Sequence, residues 1–157
     1  MKIKFITTGK TVEKYLVDGI AGYEKRIKKY VNFETVVLKD LKNAANMSFN
    51  TIKAKEAEMM LPYLNSSCFR ILLDEKGVEF SSKEFATFLE KKMSTDGRDI
   101  IFVVGGPYGF DKIVYDNCDF KISLSKMTFS HQMVRLVFTE QLYRAFTILN
   151  NEPYHHE

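Results

Sequence analysis

Apolar residues are spaced along this chain in two ways. Short, nearly unbroken runs recur at Ile3 to Thr7, Phe33 to Leu38, Phe69 to Leu73 and Ile100 to Val104, with a shorter one at Ile122 to Leu124. Runs of this length predict strands. The stretches Phe69-Arg-Ile-Leu-Leu and Ile100-Ile-Phe-Val-Val are apolar enough to be covered on both faces. Between the runs the spacing becomes helical. Val12, Tyr15, Leu16, Ile20, Tyr23 and Ile27 form one stripe, with Lys25, Arg26, Lys28 and Lys29 near its carboxyl end, where cations suit the helix dipole. Ser81 and Glu84 read as a capping box before Phe85, Phe88, Leu89 and Met93. A final helix is expected from Ser130 to Leu149, burying Val134, Val137, Phe138, Leu142, Ala145, Phe146 and Leu149. This alternation predicts an α/β fold, a mostly parallel sheet flanked by helices. No repeat, low-complexity stretch or linker interrupts it, so residues 1–157 are expected to form a single domain.

Composition narrows the class without naming it. A chain of 157 residues with 45% hydrophobic and 27% charged side chains has the balance of one globular unit, able to bury about 68–70% of its unfolded surface. Cys68 and Cys118 stand alone, with no CxxC and no second pair, so they are expected as buried thiols rather than a disulfide framework or a zinc site. The opening residues, broken by Lys4 and ended by Gly9, match neither a signal peptide nor a membrane span, and a cytoplasmic protein is expected. Net charge is +3, unevenly placed: residues 1–60 carry 12 Lys and Arg against 7 Asp and Glu, the remainder 11 against 13. A basic first third suits a phosphate-bearing partner and equally suits a solvated helix face.

In a parallel sheet the binding crevice lies beyond the carboxyl ends of the strands. Three predicted strands end in distinctive loops: Asp74-Glu75-Lys76-Gly77, Gly105-Gly106-Pro107-Tyr108-Gly109, and Ser123 to Phe129. Adjacent strands would bring them together. The glycines let backbone approach a ligand closely, or they make a tight turn. The sequence lacks a phosphate-cradling GxxxxGK[ST], the dinucleotide GxGxxG, the GxSxG elbow and HExxH, which removes support for several enzyme classes. His131 and Arg135, four apart, share one helix face. They form either a site or an ordinary polar pair.

Taken together, LSKMTFSHQMVR at Leu124 to Arg135, EQLYRAF at Glu140 to Phe146, PYH at Pro153 to His155, the Gly105 cluster and the opening Lys2-Ile-Lys-Phe-Ile-Thr-Thr-Gly-Lys closely resemble the bacterial ribosomal RNA large subunit methyltransferase H family over essentially the whole chain. The resemblance implies the SPOUT class, an α/β fold whose carboxyl-terminal part is threaded into a trefoil knot, against the general absence of knots. It implies methylation of N3 of a pseudouridine in large-subunit ribosomal RNA, within the assembled ribosome, with S-adenosylmethionine as donor and no metal, by a homodimer whose tail reaches the neighbour's cofactor pocket. It places Leu73, Gly105, Leu124, Ser125, Lys126, Met127, Thr128 and Phe129 around the cofactor, and His131, Arg135, Tyr154 and His155 around the target nucleotide. Ser130 stands where relatives usually carry proline, and serine can cap the helix instead.

The implied chemistry is consistent with the residues. Methyl transfer from a sulfonium depends mainly on alignment, because the donor already carries a good leaving group. The N3 proton of a uracil-type ring must leave before or during attack, so a base or a cation beside the imide is needed. His131 is the candidate base, and Arg135 the candidate partner of a phosphate or a base oxygen. A non-catalytic RNA-binding module would lack the cofactor-loop glycines. A receiver-like signalling domain would need acidic pairs after the early strands, and none follows Ile3 to Thr7 or Phe33 to Leu38.

Overall fold

The computed structural model describes residues 1–156. Its elements run β1 (Lys2–Thr8), α1 (Lys14–Ile27), β2 (Asn32–Leu38), α2 (Phe49–Met60), β3 (Phe69–Glu79), α3 (Ser82–Thr95), β4 (Ile100–Val104), α4 (Lys112–Asp116), β5 (Phe120–Ser123) and α5 (Met133–Leu149). The five strands form one sheet in the order β2-β1-β4-β3-β5. Every neighbouring pair is parallel. The expected parallel α/β architecture is therefore present.

Side-chain alternation divides the core into two layers. Ile3 and Phe5 of β1 with Ile100, Phe102 and Val104 of β4 face one side, where Phe138, Leu142, Ala145 and Phe146 of α5 and Phe85 and Leu89 of α3 cover them. Ile6, Ile101 and Val103 face the other side, against Ala57 and Met60 of α2 and Val114 of α4. Phe138 joins the sheet to α5, its ring 4.6 Å from that of Phe5 and 4.7 Å from that of Phe102. Strands buried on both faces explain why their sequences are nearly all apolar.

The boundaries differ from expectation in ways that matter for the site. The capping box at Ser81 and Glu84 is formed, each partner bonding the other's backbone N–H. Val12 precedes α1, and Val12 and Tyr15 are exposed; the buried stripe is Leu16, Ile20 and Ile27. The segment expected as a loop after Leu73 belongs to β3, which continues to Glu79 past an irregularity: Ile122 of β5 pairs first with Leu73 and again with Val78. That double pairing pulls residues 74–77 out of line and aims them over the carboxyl edge of the sheet. Cys68 and Cys118 are free thiols, half-buried rather than fully buried. Among the described residues no helix is long and apolar enough to cross a membrane.

Candidate active site

Because β3 lies between β4 and β5, their three following segments converge. They enclose a groove of about 840 Å³, within the range of clefts that hold small ligands. Its floor is made by the strand ends Leu73, Val104 and Ile122, its walls by Asp74 to Lys76, Gly105 to Phe110, Leu124, Ser125 and Met127 to Ser130, and one end by His131 and Val134.

Each wall has a local cause. After β4, Gly109 adopts φ +80°, a backbone conformation that favours glycine, and its N–H donates to the Gly106 carbonyl at 3.2 Å. This tight turn lifts Tyr108 to the rim. A Cβ on Gly105 would lie 3.3 Å from both the Gly109 oxygen and the Phe110 ring, so a side chain there would press on the turn that shapes the wall. After β5, the Ser123 hydroxyl donates to the Ser125 carbonyl at 3.0 Å, and the Met127 N–H donates to the Ser125 hydroxyl at 2.9 Å. Ser130 then closes the loop onto α5: its hydroxyl accepts from the Met133 N–H and its carbonyl from the Val134 N–H, each at 3.0 Å. The serine hydroxyl thus satisfies one of the helix's first donors and its backbone carbonyl a second.

Of the eight residues expected around a cofactor, Leu73, Gly105, Leu124, Ser125, Met127, Thr128 and Phe129 line the groove. Lys126 is exposed and stands outside the lining. The structure adds Asp74, whose Oδ1 accepts from the Lys76 N–H at 3.3 Å. Its carboxylate also engages the Tyr115 hydroxyl, and burial together with that bond keeps the phenol protonated. A carboxylate lining backbone-rich walls has acceptor capacity to spare for a ligand bearing hydroxyl or amino donors, as S-adenosylmethionine does.

The four residues expected around the nucleotide fall in three places. His131 is half-buried at the groove's end. Burial, and then the neighbouring Arg135 cation, hold its pKa below the ordinary imidazole value, with Asp40 opposing weakly. A neutral ring able to accept a proton follows. Arg135 corrects the expectation placed on it. It is 1% exposed and donates to the carbonyls of Thr8 (2.7 Å), Gly9 (2.8 Å) and His131 (3.1 Å) and to the Thr11 hydroxyl (2.9 Å). It clips α5 to the end of β1 and holds His131 through its backbone.

Tyr154 and His155 lie elsewhere, because the chain turns back after α5 and lays its tail against that helix. Tyr154 Oη donates to Glu140 Oε1 at 3.0 Å and lies 3.4 Å from the Tyr23 hydroxyl. Arg144 grips the same Glu140 oxygen through Nε and Nη2, and its Nη1 is 3.1 Å from His155 Nδ1. The guanidinium also lies over the Tyr154 ring, 4.7 Å from its centroid. Burial, then the Tyr23 and Glu140 bonds, raise the Tyr154 pKa, so the phenol stays protonated. Glu140 and Arg144 were visible only as part of EQLYRAF; their i, i+4 spacing was the available signal. Glu140 is seven residues, about 10 Å, along α5 from Met133, and His131 precedes that helix. Within one chain, groove and tail cluster are separate.

Comparison with known proteins agrees with this geometry. A family described as "Predicted SPOUT methyltransferase" matches residues 1–155. The chain is similar to proteins named ribosomal RNA large subunit methyltransferase H: 55% identical to that of Parabacteroides distasonis and 49% to that of Porphyromonas gingivalis, each over 157 residues and the whole of both chains. Among solved structures it resembles a Bacillus anthracis protein assigned as an RNA methyltransferase, with TM-score 0.51 and 12% identity over 99% of this chain and 98% of that one. That likeness concerns the fold alone.

Proposed function

The chain belongs to the SPOUT methyltransferase family, and from that premise we propose that it transfers the methyl group of S-adenosylmethionine to N3 of a pseudouridine in large-subunit ribosomal RNA, on the assembled ribosome, as a homodimer. The observation that carries this reading is the convergence of three strand-end segments on one groove that ends at His131. S-adenosylmethionine, when bound, supplies a methyl group on a positively charged sulfur. The residues of the chain do the rest. Leu73, Gly105, Leu124, Ser125, Met127, Thr128 and Phe129 hold the donor, and the Asp74 carboxylate accepts a hydrogen bond from it. Phe110, Val104 and Leu73, all buried, keep water from the groove floor. His131, neutral in its half-buried setting, accepts the N3 proton as the nucleotide is alkylated.

Two such sites arise if the dimer brings the tail cluster of one subunit to the groove of its partner. Arg144 and His155 then face the uracil edge, where a guanidinium stabilises negative charge on the imide oxygens. Tyr154, protonated and tied to Glu140, sets their position. Threading of the Leu124 to Ser130 segment into a knot belongs to this reading, because it would fix the groove wall without any metal.

The test is nucleoside mass spectrometry of ribosomal RNA from cells with and without the gene. A methylated pseudouridine should vanish from the large-subunit RNA on deletion and return with the wild-type gene. Complementation by a His131→Ala variant should restore it at least tenfold more slowly, as befits removal of a general base. Unchanged RNA on deletion would sink the reading.

A further inference from the structure

Phe49 and Tyr108 come from different elements, the first residue of α2 and the tip of the glycine turn after β4, yet their rings stack with centroids 4.1 Å apart and planes 19° apart. Both stay open to solvent, Phe49 62% and Tyr108 42% exposed. A phenylalanine that far exposed while one face lies on a neighbouring ring has its other face in water. The pair is held in place by features that cost the chain freedom: Ser48 caps α2 by accepting from the Thr51 N–H, and the Gly109 turn projects Tyr108 outward. Tyr108 lines the rim of the methyl-transfer groove, and so do Lys53, one turn beyond Phe49 on α2, and Lys76. Apolar side chains gathered at the mouth of a site, rather than scattered singly, mark a contact surface.

We propose that Phe49 and Tyr108 form a stacking platform for an unpaired base of the substrate RNA next to the target nucleotide. The proposal rests on the reading that the chain methylates ribosomal RNA, and deepens it. Sequence-specific proteins take single-stranded RNA by splaying bases onto aromatic faces while cations meet the backbone. The platform offers both parts: a free π face, and two ammonium groups at the same rim. A protein partner would call for a broader apolar patch without flanking cations. The cofactor has its own walls deeper in the groove, over the buried Leu73, Val104 and Phe110. A base stacked at the rim would fix the strand on one side of the target, so that the target itself turns into the groove.

The experiment uses ribosomes from cells lacking the gene as substrate, with KM and kcat for methylation and, separately, the calorimetric Kd for S-adenosylmethionine. Both side chains are exposed, so Phe49→Ser with Tyr108→Ser should fold, and an unchanged melting temperature checks this. The double variant should raise KM for ribosomes roughly tenfold or more, the usual effect of losing one base stack, with the cofactor Kd within about twofold of wild type. Tyr108→Phe and Tyr108→Trp should keep the wild-type KM, and Tyr108→Leu should not. An unchanged KM, a loss confined to cofactor affinity, or full rescue by leucine would each overturn the platform while leaving the activity established. Wild-type protein that methylates no ribosomal RNA would overturn the functional reading, and the platform with it.

Discussion

Glu56 of α2 is the residue whose chemistry is least compatible with its surroundings. It is 6% exposed, its Oε1 has no hydrogen-bond partner among the described residues, and a Cβ on Gly106 would lie 2.7 Å from its Oε2. Its carboxyl therefore sits directly beneath the glycine turn. Burial pushes its pKa up to about 7, so the acid is largely neutral at low pH and charges at a cost above neutrality. Between pH 4.5 and 7 the unfolded chain releases this proton while the folded chain keeps it. Unfolding free energy should then fall as pH rises through that window and level off above it, by about 3 kcal/mol for a shift of this size. Glu56→Gln, which cannot ionise, should lose that fall. Urea unfolding at pH 5, 6, 7 and 8 measures it, and parallel curves for the two proteins would show that Glu56 is not the group responsible.

At the level of whole elements, close approach of backbone decides what β3 and β5 tolerate. A Cβ on Gly77 would lie 2.6 Å from the Ile122 nitrogen and carbonyl carbon and from the Lys121 carbonyl carbon. Backbone in a paired strand cannot retreat as a flexible side chain can. Gly77→Ala should therefore destabilise the fold by about 3 kcal/mol, at the upper end of overpacking costs. Gly22, inside α1 with nothing within 4 Å of a built Cβ, should do the reverse, gaining roughly 0.5–1 kcal/mol as alanine. Denaturant midpoints of the two variants should move in opposite directions. Gly77 also marks the limit of reading elements from sequence. Strands β1, β4 and the first half of β3 were legible because burial on both faces leaves little but apolar residues. The continuation of β3 was not, because Asp74-Glu75-Lys76-Gly77 has the composition of a turn and is held in the sheet only by β5. Helix α2 escaped notice because the face it buries includes Glu56, while Phe49 at its start points to water. The spacing of His131 and Arg135 placed both on one face of the last helix, but that helix begins at Met133, so His131 sits in the turn before it. The spacing could not reveal that the end of β1 lies against Arg135, which makes the arginine a clip and leaves the histidine alone at the groove.

The whole molecule raises the question of how groove and tail cluster meet. A chain of this length can bury its core unaided, so pairing needs a functional reason, and the separation of His131, before α5, from Glu140, within it, supplies one. The proposed dimer makes each site from the groove of one subunit and the tail cluster of the other, and an isologous twofold interface creates two such sites. Consider one subunit with its groove disabled by Gly109→Val, which forces a β-branched residue into the φ +80° conformation that the glycine turn needs, and another lacking residues 153–157, which removes Tyr154 and His155. Each should be inactive as a homodimer. In a mixed dimer one site carries both lesions, and the other takes an intact groove from the truncated chain and an intact tail from the Gly109→Val chain. Random reassortment of equal amounts makes half the dimers mixed, and half of their sites intact, so about a quarter of wild-type activity should return. If the tail serves its own groove, every site carries one lesion, and activity stays at the background of the separate variants. Subunit exchange is followed independently by native mass spectrometry of the two chain masses. Background activity in a sample shown to contain mixed dimers would assign the tail to its own subunit, and the contacts of Tyr154 and His155 with α5 would then be structural.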